Sequence, residues 1–87
     1  MNTESIFDLI AAHARDVLPE LAARPLGGHD SLRELGANSI DRAEILMLVT
    51  ASLGLRVPLV QLSQPRNMGE LAELLSRLLA AKGERVA

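Results

Sequence analysis

The chain contains no cysteine, no tryptophan and no tyrosine, and one phenylalanine. Without cysteine, disulfides, thiolate-zinc sites and thiol nucleophiles of the chain's own are excluded. Any thiol chemistry must therefore come from an attached group. No apolar run approaches the ~20 residues needed to span a bilayer, and the opening Met1-Asn2-Thr3-Glu4-Ser5 lacks a basic segment followed by an apolar one. A cytoplasmic protein with no membrane partner is expected. A cationic excess is missing too: 9 Lys plus Arg stand against 11 Asp plus Glu, for a net charge of −2. There is no general attraction to phosphate backbones, and nucleic acid is not an expected partner.

What remains is aliphatic. Leucine occurs 17 times and alanine 12, against 5 valines and 4 isoleucines, a balance that favours helices over strands. At 87 residues the chain holds one small core. A single domain over 1–87 is expected, with a short polar tail from about 83, acting as a monomer.

The helix signals are local. Thr3, Glu4 and Ser5 read as a helix start, with Ile6, Ile10, Ala14 and Val17 at helical spacing and Phe7, Ala11 and Leu18 widening the face; Pro19 ends or bends the helix. From Pro19 to Asn38, Pro25, Gly27, Gly28 and Gly36 predict a long loop with short helical turns. Within it Ser31 and Glu34 fit a capping box that points Leu32 and Leu35 inward. A second helix opens at Asn38 or Ser39 and stops at Gly54. Ile40, Ala43, Ile45, Leu46, Met47, Leu48, Val49 and Leu53 cover more than one of its faces, which predicts a central helix with neighbours on several sides. Pro58 can open a brief turn through Leu62, and Asn67 can cap a last helix with a stripe of Met68, Leu71, Leu74, Leu75, Leu78 and Leu79, ended by Gly83. The expected fold is all-α, a small four-helix bundle with three long helices, a short third one and a long first loop.

Chemistry concentrates in Leu35-Gly36-Ala37-Asn38-Ser39-Ile40-Asp41-Arg42-Ala43-Glu44-Ile45, where a glycine-containing turn delivers a serine to a helix start. Most serines so placed simply cap the helix. If Asn38 caps instead, the Ser39 hydroxyl is free to accept a phosphorylated group, which the positive end of a helix suits. A hydrolytic triad of Ser39, His29 and Asp30 is disfavoured, since adjacent His29 and Asp30 do not serve readily as base and orienting group in line, and no Gly-x-Ser-x-Gly elbow is present. His13 has no second ligand at metal spacing and reads as a satisfied surface histidine.

Gly36, Asn38, Ser39 and Ile40 resemble the Gly-x-Asp-Ser-Leu-type motif of acyl carrier proteins. The likeness extends through Leu35-Gly36, Glu44, Val57-Pro58 and the closing amphipathic helix. It implies a non-enzymatic carrier with 4′-phosphopantetheine attached at Ser39 by a phosphopantetheinyl transferase, using coenzyme A and Mg²⁺. It also implies a partner surface of Asn38, Ile40, Asp41, Arg42, Ala43, Glu44, Met47, Arg56, Leu59 and Val60. The chain departs from the commonest pattern at Asn38, which replaces aspartate, at Arg42 and Arg56, and in the apolar Leu59-Val60 pair. These segments look most like the free-standing donor carriers of polyketide β-branching cassettes. That likeness implies an acyltransferase that loads malonyl, a decarboxylating ketosynthase-like enzyme that leaves acetyl, and a 3-hydroxy-3-methylglutaryl-CoA (HMG-CoA) synthase-like enzyme that receives it. A general fatty-acid, polyketide or peptidyl carrier is the alternative within the class, and an unmodified helical adaptor the alternative outside it.

Overall fold

The computed structural model describes residues 1–84. Four α-helices follow one another: α1 (Thr3–Val17), α2 (Ser39–Leu53), α3 (Leu59–Leu62) and α4 (Met68–Glu84), with a 3-10 turn at Pro19–Leu21. No strand occurs among the described residues. The all-α bundle with a short third helix is thus the observed architecture.

Each long helix starts on an asparagine. Asn2 Oδ1 accepts from Ser5 N at 2.7 Å and caps α1, which begins at Thr3 as expected. Asn38 caps α2, and Asn67 Oδ1 accepts from Glu70 N at 2.8 Å at the start of α4. In every case a short side-chain oxygen satisfies a backbone donor that the helix leaves free. Pro19 ends α1 as expected and opens the 3-10 turn. Gly54 closes α2 in the left-handed conformation, φ 67°. Gly83 does not stop α4, which runs on to Glu84. An isolated glycine lowers helix propensity without forbidding the helix. Residues 85–87, the rest of the expected polar tail, lie outside the described residues.

The core joins Ile6, Ile10 and Ala14 of α1 to Ile45 and Val49 of α2 and to Met68, Leu71 and Leu75 of α4, all buried. The helix with the most extensive packing is α1, which lies against both α4 and α2. This corrects the expectation that α2 is central. Ile40 is 75% exposed, Met47 60% and Leu48 36%, so part of the apolar surface of α2 has no neighbour among the described residues.

The long first loop is packed down. Leu21, Leu32, Leu35 and Ala37 are buried. Arg15 donates to the carbonyls of Leu21 and Arg24 at 3.3 and 2.9 Å, and Asp30 Oδ2 accepts from Gly27 N at 2.7 Å. The expected capping box at Ser31 is realised in one direction, Glu34 N to Ser31 Oγ at 3.4 Å, within a turn rather than a helix. Further along, Met68 N donates to Asp30 O and Gly69 N to Gly28 O, each at 2.8 Å. The loop therefore supplies acceptors to the first turn of α4.

Candidate functional site

The start of α2 separates capping from exposure. Asn38 Oδ1 accepts from Asp41 N at 2.8 Å, and Asp41 Oδ2 accepts in return from Asn38 N at 3.2 Å. This reciprocal box uses both flanking side chains. Ser39, between them, is exposed, and its hydroxyl makes no hydrogen bond among the described residues. The first intrahelical bond is Arg42 N to Asn38 O at 2.9 Å, so the N–H groups of Ser39 and Ile40 have no intrahelical partner. An oxygen nucleophile thus stands at the positive end of a 15-residue helix, committed to nothing else.

Ser39 also lies on the rim of a groove of about 500 Å³ between α2, α3 and the segment leading into α4. Ala43, Leu46, Leu59 and Leu62 supply its apolar wall. Arg33, Arg42 and Arg66 also line it, and no carboxylate does. Arg42 is half-buried and folds back along α2, its Nη1 donating to Ala37 O at 2.8 Å. Arg33 and Arg66 are not distinguished by sequence pattern. They are 33 residues apart, one in the first loop and one before α4, and the loop-to-α4 hydrogen bonds and the shared core bring their segments together.

The expected partner residues fall into four groups. Asn38 and Asp41 form the cap, while Arg42, Ala43 and Leu59 line the groove with Ser39. Ile40, Glu44 and Met47 are exposed along α2, and Val60 is 71% exposed on α3. Arg56 is not brought to this site: it follows the far end of α2, roughly 20 Å along the axis, in a separate cleft with Leu78 and Lys82.

The residues of the disfavoured triad do not form a relay. His29 is exposed, 3.8 Å from Asp30, whose other carboxylate oxygen is held by Gly27 N. His13 differs from the surface residue expected. Its side chain is 19% exposed, Nε2 lies 3.0 Å from Ser52 Oγ, and buried Nδ1 has no hydrogen-bond partner among the described residues. It struts α1 against α2. Among the described residues no group of three potential metal ligands assembles, and no helix is long and apolar enough to cross a membrane.

The helical bundle holds one hydroxyl clear of its own capping network, beside a groove and an apolar helix face that is exposed among the described residues. The family described as phosphopantetheine attachment site matches residues 8–75, and the chain belongs to it. Its prosthetic group is phosphopantetheine. The chain is 44% identical over 75 residues to the polyketide biosynthesis acyl-carrier-protein AcpK of Bacillus subtilis (strain 168), covering 86% of this chain and 92% of that protein. It is also similar to a chain in the crystal structure of the curacin biosynthetic pathway HMG synthase in complex with acetyl donor-ACP. That match has a TM-score of 0.84 and 40% identity, and covers 88% of this chain and 99% of the other.

The residues present fit the prosthetic group. An exposed, uncapped hydroxyl can be esterified without breaking a hydrogen bond of the fold, and the free N–H groups beside it favour the negative charge that esterification adds.

Proposed function

We propose that Ser39 is the attachment site of the 4′-phosphopantetheine arm and that the protein is a carrier that donates acetyl in polyketide β-branching. The observation that supports this most directly is the division of labour at the start of α2, where Asn38 and Asp41 cap the helix and leave Ser39 free.

In the loading step the Ser39 oxygen attacks the phosphorus nearer the pantetheine in coenzyme A. A new O–P bond forms, the bond to the adenosine bisphosphate breaks, and the serine proton passes to a base of the transferase. The chain is substrate there, and the transferase with Mg²⁺ supplies activation. Bound to Ser39, the arm supplies the thiol that a cysteine-free chain lacks and holds acyl groups as thioesters. The capping box fixes the position of the serine. Ile40, Met47, Leu59 and Val60 offer partner enzymes an apolar surface, with Glu44 as an exposed acid on the same helix.

The similarity to AcpK and to the acetyl donor-ACP in its complex with HMG synthase supports malonyl and acetyl as cargo. On this reading an acyltransferase loads malonyl, a decarboxylating ketosynthase-like enzyme leaves acetyl, and an HMG-CoA synthase-like enzyme receives it.

The test has two stages. Intact mass is measured after incubation with coenzyme A, Mg²⁺ and a broad-specificity transferase; one phosphopantetheinyl addition is expected, absent in Ser39→Ala. No addition to the folded, unmodified protein would favour an unmodified adaptor. The acetyl-loaded protein is then expected to bind an HMG-CoA synthase-like enzyme more tightly than an acetyl-loaded fatty-acid carrier does. Equal binding would leave a general carrier and remove the β-branching role.

A further inference from the structure

Arg33, Arg42 and Arg66 line the groove beside Ser39 and no carboxylate does, in a chain whose net charge is −2. Three cationic residues on one wall favour an anion there, and of the three only Arg66 has an ion pair among the described residues. Arg42 is the best placed. It lies three residues after Ser39, on the neighbouring position of the same helix face. Its bond to Ala37 O draws the guanidinium back to the N-terminal end of α2, beside the serine. That bond uses Nη1 and leaves the donors of Nε and Nη2 without partners among the described residues. Arg33 makes no ion pair among the described residues, and Arg66 makes an exposed one at 3.6 Å to Glu70. Such a pair adds little stability and releases its guanidinium easily.

We propose that Arg42, flanked by Arg33 and Arg66, seats the phosphodiester that joins the arm to Ser39, an inference that rests on the attachment site proposed above. The phosphorus is one bond from Ser39 Oγ, within the space that Arg42 borders. Its two free oxygens suit the paired donors of a guanidinium, which recognises phosphate by bidentate hydrogen bonds. The unused N–H groups of Ser39 and Ile40 face the same anion. The seat sets a direction: the arm leaves Ser39 along the groove toward α3, and the exposed face of Ile40, Glu44 and Met47 stays open to a partner enzyme. Arg42 is then a positioning residue for the arm.

The test follows arginine Nε–H signals of the ¹⁵N-labelled protein by NMR before and after loading, with intact mass recorded on the same sample. The Arg42 signal is expected to shift and to exchange more slowly with water, Arg33 and Arg66 to shift less, and Arg15, Arg24 and Arg77 to stay. In loaded Arg42→Gln, the ³¹P resonance of the phosphodiester is expected to move toward that of a free phosphodiester. Arg33→Gln with Arg66→Gln provides a second, surface-only variant that should move it in the same direction. A mass addition with all arginine signals unchanged would overturn the seat alone. No mass addition would overturn the proposed attachment and the seat with it.

Discussion

At the residue scale, single atoms decide what each side chain is free to do. Asn38 replaces the aspartate usual in the resembled motif, yet its amide oxygen accepts the same cap hydrogen bond without a charge. Asn38→Ala is expected to cost about 1 kcal/mol in denaturant unfolding, the usual worth of an N-cap, whereas Asn38→Asp is expected to be nearly neutral. Glycine at 69 gives a less familiar sign. Replacing a glycine inside a helix with alanine ordinarily stabilises by up to about 1 kcal/mol. Here the new Cβ would stand 3.0 Å from Gly28 O and 3.2 Å from Gly28 Cα, both backbone atoms of the loop bonded to that turn. Gly69→Ala is therefore expected to lower the thermal midpoint rather than raise it.

At the element scale the three long helices differ in how far their faces are used. Ile10 of α1 is wholly buried between α2 and α4, so Ile10→Ala is expected to cost about 2–5 kcal/mol, a large share of the stability of a domain this small. A urea titration with unchanged slope and a lower midpoint would show it. Met47 of α2 has the opposite status. Since it is 60% exposed, Met47→Glu is expected to change stability by less than about 0.5 kcal/mol. It should weaken binding to an HMG-CoA synthase-like partner at least about tenfold, or 1.4 kcal/mol. Unchanged partner affinity would remove Met47 from the docking face. Sequence periodicity read Ile40, Met47 and Leu48 as part of a central helix with neighbours on several sides, and the family resemblance alone put Ile40 and Met47 on a partner surface, because periodicity does not distinguish a face covered by the same chain from one covered by another.

At the scale of the whole molecule, the loop before α2 and the turn before α4 act as a frame. The bonds Met68 N to Asp30 O and Gly69 N to Gly28 O tie the first loop to the last helix. Lys82 of α4 reaches the carbonyl of Gly54 at the far end of α2. The His13 to Ser52 bond adds a strut between α1 and α2 across 39 residues of chain. His13→Ala is expected to lower the midpoint of urea unfolding while leaving the loading of Ser39 unchanged in an intact-mass assay, since the strut lies away from the start of α2.

The sequence by itself determined the helical class, the order of the long helices and the serine at the opening of the second. Those features depend on residues three or four positions apart: asparagine caps, leucine stripes, and a glycine at the stop of α2 all act within a turn of backbone. It also determined that a thiol must be imported, because no cysteine is present. Only the tertiary structure decided that α1 is the most extensively packed helix, that α2 keeps an open apolar face, and that Arg33 and Arg66 join Arg42 around one groove. Those outcomes depend on which surfaces meet across tens of residues, and that is settled by packing the whole core at once rather than by any local spacing.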